Sequence, residues 1–564
     1  MSKLQSTIKC AVLAAGILAM TPGCKVDVFP TDRYTEESIY NNAANMELYI
    51  AGMYAEFQKF QFGQFPIGYN NATDALTDIM KYTSSVAGNG TVNILATDAS
   101  RVNAAGPQLN YWTDGYTRIR RINEFLQGLN KYAKVDEDTK KQYEAEARFI
   151  RGYCYFWLVK LHGSVVLLDN LDQYTTKEHQ RSSEEDCYKF IAADFQFAAE
   201  NLPKQWGTAK TGRATKGAAY GMLARTWLYA ASIAEYDKKQ FNQDELTGVT
   251  TANAQTYYQN AATAAEAVMD LADEGYHALE SSFTSVFYNK NTKEALFKLD
   301  YVSPQLTHGF DLGNTPPRDA PGQSLVYGVP TAELVNEFER IDGTRFLWSN
   351  PVHAANPYEN RDPRFYATIL YNGSKWKNRT INTTPSDAIE GFAEYASTTE
   401  PRKTVTGYYI KKMLDSTNTT FVQNGSTQHW IEMRYAEVLL IHAEAKTKLN
   451  DINGAQQSLN KVRTRAGLPN TTASTVAQMM EAIEHERKVE LAFEGHRYWD
   501  LRRWRKAHIV LNGVKFTGHR ITGSTYEVVP ADNVNRQFTP ALYYIPIPAV
   551  ELQNNLALTQ IKGW

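Results

Sequence analysis

The sequence has 564 residues, enough to bury a large core without the help of disulfides or a metal. It carries 59 Lys plus Arg against 61 Asp plus Glu, and this balance gives no electrostatic reason to expect nucleic acid as a partner. Its four cysteines form neither a disulfide framework nor a CxxC pair for zinc or redox chemistry. Aromatic residues make up 12% of the chain, which suits both packing between helices and binding through Tyr and Trp rings.

The first 24 residues resemble a bacterial lipoprotein signal. Two lysines precede an apolar run over residues 10–20, which is too short to span a bilayer permanently. Gly23 stands directly before Cys24, the residue that such a signal presents for lipidation. We therefore expect a signal peptide over 1–23 and a lipidated tether over 24–35, with cleavage as an ordinary secretory signal as the alternative.

Helical periodicity dominates the first half of the body. Thr35 is a plausible N-cap for the first helix, and further helices follow in pairs between residues 111 and 279. The pairs recur at roughly the spacing of tetratricopeptide repeats. Residues 61–106 interrupt this pattern with Gly, Asn, Thr and Ser, and long irregular segments of this kind are usually functional or disordered.

A second irregular stretch lies between about residues 300 and 430, where Gly, Pro, Asn, Thr and aromatics predict loops with short strands. A late helix pair follows, from "MRYAEVLLIHAEAKTKLN" to "INGAQQSLNKVRTRAG". We predict a mainly α fold, a tetratricopeptide-like scaffold of helix pairs with an irregular insert that carries the ligand face. We predict a single domain over 36–564. Its helical scaffold covers about 36–300 and 430–510, the insert covers about 300–430, and a C-terminal segment covers 510–564.

Familiar catalytic motifs are absent from the sequence. No phosphate-binding glycine loop, HExxH pair or GxSxG elbow occurs. Asp74 and Asp78 in "TDALTD" would lie one helical turn apart and form the best local carboxylate pair. A solvated loop face or a helix N-terminal charge is the simpler interpretation of this pair. No cofactor is predicted, and a structural calcium ion in an acidic loop is left open.

The stretch "RKVELAFEGHRYWDLRRW" begins at Arg487 and combines many charges with two Trp. Glu494, Arg497, Asp500 and Arg503 follow one another at spacings of three, which predicts ion pairs along one helix face. We interpret these charges as a self-satisfied network that holds a helix in place. A nucleic-acid site would leave its arginines unpaired.

The same stretch resembles the hallmark of the SusD/RagB family, the surface glycan-binding lipoproteins of Bacteroidetes. Further segments resemble family patterns in the expected order: "EARFIRGYCYFWLVKLHGSVVLL", "GRATKGAAYGMLARTWLYAA", "GVPTAELVNEFERIDGTR", "RDPRFYATILYNG", "MRYAEVLLIHAEA" and "LYYIPIPAVELQNN". The resemblance covers essentially the whole chain after the leader.

The resemblance implies a protein on the outer face of the outer membrane, anchored by lipid, with a SusC-like TonB-dependent transporter as partner. It implies capture of oligosaccharide or polysaccharide and its delivery to the transporter without cleavage, so that the protein is not an enzyme and binds no nucleic acid. Peptide capture by a RagB-like system is the first alternative. A glycoside hydrolase on a helical scaffold and a purely structural repeat adaptor are the others.

A sugar ring presents apolar C–H faces and hydroxyl-rich edges, so a binder needs exposed rings beside polar side chains. We expect these to come from the two irregular segments rather than from the scaffold. The predicted ligand-binding residues are Tyr69, Asp74, Asp78, Tyr82, Trp112, Tyr301, Phe310, Tyr327, Trp348 and Trp376.

Overall fold

The computed structural model describes residues 36–55, 57, 70–84, 91–105, 109–236, 244–396, 400–419, 421 and 425–564. The predictions for the leader, for lipidation at Cys24 and for a ligand contact at Tyr69 concern residues outside these ranges.

Helices form most of the regular structure. In chain order they are α1 (Glu36–Tyr40), α2 (Ala43–Ala55), α3 (Thr91–Thr97), α4 (Trp112–Tyr132), α5 (Glu137–His162), α6 (Glu184–Asn201), α7 (Lys216–Tyr236), α8 (Ala254–Asp273), α9 (Ser285–Tyr288), α10 (Phe310–Asn314), α11 (Ala332–Glu337), α12 (Pro351–Ala355), α13 (Pro363–Thr368), α14 (Tyr435–Lys448), α15 (Ile452–Arg465), α16 (Val476–Glu490), α17 (Arg497–Arg503), α18 (Ala507–Val510) and α19 (Ala549–Asn554).

The strands are short and pair in twos, always antiparallel. The pairs are β1 (Met80–Tyr82) with β3 (Gly328–Pro330), β2 (Ala295–Leu299) with β8 (Trp430–Arg434), β4 (Ile369–Leu370) with β7 (Tyr409–Ile410), β5 (Lys375–Trp376) with β6 (Arg379–Thr380), and β9 (Thr517–Thr522) with β10 (Thr525–Pro530).

Local sequence signals fix several helix ends. The side chains of Asp136, Ser183 and Thr475 each accept a hydrogen bond from a backbone N–H in the first turn of α5, α6 and α16. These bonds satisfy donors that have no partner inside the helix. Gly163 ends α5 at φ +71°, in the left-handed region that glycine tolerates best.

The long helices pack as predicted, in consecutive pairs that share one apolar core. Small side chains allow close approach along α7, where a Cβ at Gly221 would stand 3.0 Å from Leu296 and from Met433. The same core runs from Tyr40 to Ile561, so helices before and after the insert are buried together. The prediction of a mainly α, helical-pair scaffold with an irregular insert is therefore confirmed.

The insert between β2 and β8 has its own small core. Leu299 lies opposite Trp430 in the β2–β8 ladder, so the two ends of the insert meet at one sheet. Side chains such as Trp376, Tyr409 and Met413 form a second apolar cluster inside it. The predicted domain limits themselves remain a prediction.

The C-terminal segment returns across the scaffold. Its β9–β10 hairpin is followed by Arg536, which is buried and donates to the carbonyls of Ala75 and Thr77. Further on, the N–H of Ile545 donates to the carbonyl of Leu161 at the end of α5. These bonds attach the C-terminal segment to the N-terminal half at two separate places.

Gly518 on β9 is a position where the backbone leaves no room for a side chain. A Cβ there would stand 2.3 Å from the Cα of Thr406, beside the bond from the His519 N–H to the Thr406 carbonyl. We expect Gly518→Ala to lower the free energy of unfolding by about 1–3 kcal/mol, measured by urea denaturation. Gly207→Ala is the control, because nothing lies within 4 Å of its added methyl group. Equal effects of the two substitutions would contradict this prediction.

Candidate functional site

The predicted ion-pair network in the 487–504 stretch exists, but most of its partners differ from those expected. Only the pair between Asp500 and Arg503 forms along the helix, at 2.9 Å. Arg497 instead pairs with Asp78, and Glu494 pairs with Arg434. The prediction of an ion-pair network is therefore confirmed, but most of the predicted partners are wrong. Residues distant in the chain, such as Asp78 and Arg434, form these pairs instead.

Asp74 and Asp78 belong to this network, and both are buried. Asp74 accepts a hydrogen bond from the N–H of Gly495 at 2.9 Å, and burial raises the pKa of its carboxyl group to about 8. Burial alone would also raise the pKa of Asp78, but the charges of Arg497 and Lys488 lower it well below its usual range. The interpretation of Asp74 and Asp78 as a solvated loop face is therefore wrong. Both side chains are buried and bind Gly495 and Arg497.

The predicted aromatics Tyr82, Trp112 and Tyr327 are buried as well. Tyr82 and Tyr327 stack on each other with ring centroids 5.4 Å apart across the β1–β3 pair. Trp112 opens α4 and lies edge-on to His162, 5.2 Å away. The expectation that these rings present an open face is wrong for this structure, because scaffold packing covers them.

Three predicted aromatics of the insert are also covered. Tyr301 and Phe310 lie on either side of His308, and Trp376 donates its indole N–H to Asp319 at 2.6 Å. All three rings belong to the insert's own apolar cluster. They supply the packing for the part of the insert that lies outside the main core.

Trp348 is the predicted aromatic that stays partly exposed within the described residues. It lies in a row of half-buried rings that we call the ring surface, made of Trp348, Tyr358, Tyr366, Tyr371 and Tyr526. The first four come from the insert, and Tyr526 comes from β10 of the C-terminal hairpin. The ring surface thus forms only where these two segments meet.

The rings follow one another at contact distance. Ring centroids lie 5.3 Å apart between Trp348 and Tyr526, 5.7 Å between Tyr526 and Tyr358, and 4.3 Å between Tyr358 and Tyr371. Tyr366 continues the row at 6.3 Å from Tyr371. The result is a continuous aromatic strip at the protein surface.

Buried residues pack against the ring surface and fix the positions of its side chains. Phe365 packs against Tyr358 and Tyr371. The guanidinium of Arg361 lies 5.0 Å from the Phe365 ring and donates to backbone carbonyls, and burial lowers its pKa to about 10. Trp348 is fixed by an indole N–H bond to Asn336 at 2.9 Å. These contacts give the strip a preformed shape.

Polar groups accompany the exposed rings. The hydroxyls of Tyr371 and Tyr526 make no hydrogen bond to any residue in the described ranges, whereas the Tyr366 hydroxyl donates to the carbonyl of Tyr358. The exposed side chains of Glu359 and Asn360 lie beside Tyr358 in the chain. The surface therefore combines apolar ring faces with free donors and acceptors.

Sequence reasoning found Trp348 and missed the tyrosines. Three of them stand in "NPYENRDPRFYATILYNG", a segment already noted for its family pattern. Tyr526 and Val528 are two residues apart in β10, so both side chains lie on one face of the hairpin. No sequence signal shows that this face meets the insert.

Two general properties of the described part of the chain bear on function. It contains no cluster of three or more His, Cys, Asp or Glu side chains arranged to hold a metal ion. None of its helices combines the length and apolar character needed to cross a membrane.

Comparison with known proteins gives two family matches. A model of the SusD family matches residues 293–564, which include the insert, the signature stretch and the C-terminal hairpin. A second model, described as starch-binding associating with outer membrane, matches residues 32–228 of the helical scaffold.

Individual relatives agree with these matches. The SusD-like protein P2 of Formosa agariphila is 27% identical over 465 residues, which is 79% of this chain and 78% of the relative. A solved SusD-like protein from Bacteroides fragilis is 28% identical, with a TM-score of 0.78 over 93% of this chain and 98% of the other. A SusD-like carbohydrate-binding protein from the same species is 25% identical, with a TM-score of 0.76 over 93% of this chain and 100% of the other. The chain belongs to the SusD/RagB family.

Proposed function

We propose that this protein captures oligosaccharide or polysaccharide at the cell surface and passes it, uncleaved, to a SusC-like TonB-dependent transporter. In this proposal a lipid on Cys24 anchors it to the outer membrane. The family supports carbohydrate binding, since a 25% identical structure is described as a carbohydrate-binding protein and one matching model as starch-binding. The observation that carries the proposal is the ring surface.

The ring surface has the chemistry that a saccharide needs. Pyranose rings bury their C–H faces against aromatic rings, and their hydroxyls exchange hydrogen bonds with polar side chains. A row from Trp348 through Tyr526 and Tyr358 to Tyr371 places several partly exposed rings in succession. This arrangement suits an extended chain of sugars better than a single compact ligand.

Binding without cleavage agrees with the state of the best carboxylate pair. A protonated acid beside an ionised carboxylate is the combination that glycosidases use, and the directions of the Asp74 and Asp78 pKa shifts would supply it. Both groups, however, are buried against Gly495 and Arg497. To reach them, a substrate would have to displace Gly495 and the start of α17.

Calorimetry on the chain from residue 25 onward, against a panel of polysaccharides and a peptide digest, tests the proposal. We expect saturable heat with a glycan, and Trp348→Ala or Tyr526→Ala to weaken binding about tenfold or more, because each removes a stacking face. Tyr276→Ala is the matched control, since Tyr276 is also partly exposed but lies just after α8, outside the ring surface.

Glycan heat that survives both ring substitutions would place the site elsewhere on the protein. Heat with the peptide digest alone would move the protein to RagB-like peptide capture. Reducing ends released by the wild-type protein would identify a hydrolase instead.

A further inference from the structure

The helical scaffold carries a concave feature that the proposed function does not use. A groove of about 530 Å³ runs across α6, α7 and α8, within the usual size range of small-molecule sites. We call it the scaffold groove and define it by Lys189, Gln196, Tyr220, Trp227, Asn260 and Thr263. Each helix contributes residues three, four or seven positions apart, so one face of each helix forms the groove.

Two aromatic rings stand on the α7 side. Trp227 is half-buried, and Tyr257 stacks against its indole with centroids 4.9 Å apart and planes 22° apart. Tyr257 therefore packs on one face of the indole, while Trp227 and not Tyr257 lines the groove. Tyr220 lies two turns earlier on the same side of α7, and its hydroxyl makes no hydrogen bond to a described residue.

The facing helices supply amides. The side chain of Asn260 on α8 makes no hydrogen bond within the described part of the chain. Gln196 on α6 uses its N–H for Glu200 at 2.7 Å, and its amide oxygen has no partner among the described residues. Between these amides the floor is largely alanine, which lets a flat ligand approach the backbone closely.

The charge of the groove points to a neutral ligand. Its cationic side chain, Lys189, is already paired with Glu185 at 3.4 Å and with Asp186 at 3.9 Å. The three walls are helices, so they offer no open strand edge to a peptide backbone. What is left is a ring face, a phenol and two amides, the groups that recognise an uncharged polyol ring.

We propose that the scaffold groove is a second saccharide-binding site, which takes a neutral pyranose stacked on Trp227 with its hydroxyls bonded to Asn260, Gln196 and Tyr220. It rests on the proposed function only for the class of ligand. The two sites use different elements, since the ring surface lies on the insert and on β10. A glycan long enough to span both sites would be held at two points and retained longer.

Fluorine NMR of the chain from residue 25, labelled with fluorotryptophan, tests this site directly. The probes are maltoheptaose, laminarihexaose, mannohexaose and a peptide digest. The Trp227 signal is assigned among the ten Trp by its loss in Trp227→Phe. We expect it to shift saturably with at least one oligosaccharide, and to do so equally in a Trp348→Ala background.

Asn260→Ala should weaken the Trp227 response about tenfold and leave the Trp348 response unchanged, since it removes a hydrogen bond made only to ligand. This variant keeps the Trp227–Tyr257 stack and so does not depend on repacking. A Trp227 signal that stays fixed at millimolar probe while Trp348 responds would overturn the second site and leave the proposed function intact. Silence of both signals would count against both, and a response to peptide alone would overturn the saccharide assignment.

Discussion

Arg434→Ala is expected to lower the free energy of unfolding by about 3–5 kcal/mol, because it removes a buried counter-charge that three buried carboxylates share. The Arg434 guanidinium makes five hydrogen bonds to Glu294, Glu490 and Glu494, at 2.7–2.9 Å. These carboxylates are no more than 5% exposed. Burial would raise the pKa of Glu490, but the charges of Arg465, Arg434 and Arg364 hold it well below its usual range.

The position of Arg434 explains why so much depends on it. It ends β8 and directly precedes α14, and in the β2–β8 ladder it lies opposite Ala295. Glu490 is the last residue of α16, and Glu494 lies between α16 and α17. One guanidinium therefore joins the insert's closing sheet to the late helices.

Urea denaturation of Arg434→Ala and of a matched control variant would measure this loss of stability. Arg345→Ala is the control, because its pair with Glu481 is 60% and 69% exposed and should contribute less than about 1 kcal/mol. Arg434→Lys should fall between wild type and Arg434→Ala, since Lys keeps the charge and loses the planar fork. Similar losses for Arg434→Ala and Arg345→Ala would show that the buried network contributes little.

Asp74→Asn is expected to make the protein more stable than wild type at alkaline pH, by several kcal/mol. The folded-state pKa of Asp74 is about 8, above its ordinary 3.8, so folding takes up a proton between these values. The stability that protonated Asp74 provides is complete below about pH 4 and is lost as pH rises through about 8, at up to ~1.4 kcal/mol per pH unit. Asn copies the neutral form and can still accept the bond from Gly495.

The test is to measure the free energy of unfolding of wild type and of Asp74→Asn across this pH range. Subtracting one from the other cancels the titration of all other groups. The stability of the variant relative to wild type should rise from about pH 4 to pH 8 and then level off. Asp98→Asn is the control, since Asp98 is partly exposed and hydrogen bonds to Ser100 lower the pKa of its carboxyl group. A flat difference curve for Asp74→Asn would mean that Asp74 is ionised in the folded protein.

The aromatic predictions show where sequence reasoning stops. Tyr82, Trp112 and Trp376 stand in irregular or amphipathic segments, and the sequence leaves open whether such rings pack inward or face solvent. In the fold each has a buried partner, respectively Tyr327, His162 and Asp319. Their burial follows from neighbours between about fifty and two hundred and fifty residues away, which no local pattern specifies.

The sequence by itself determined the helical scaffold, the irregular insert and the family, because helical periodicity and motif order are local properties. It also indicated that the charges after Arg487 hold the structure together. Tertiary structure alone decided most of the ion-pair partners, since Arg497 pairs with the distant Asp78 and not with Asp500. It alone decided the ring surface too, because Tyr526 joins Trp348 only when the C-terminal hairpin packs on the insert.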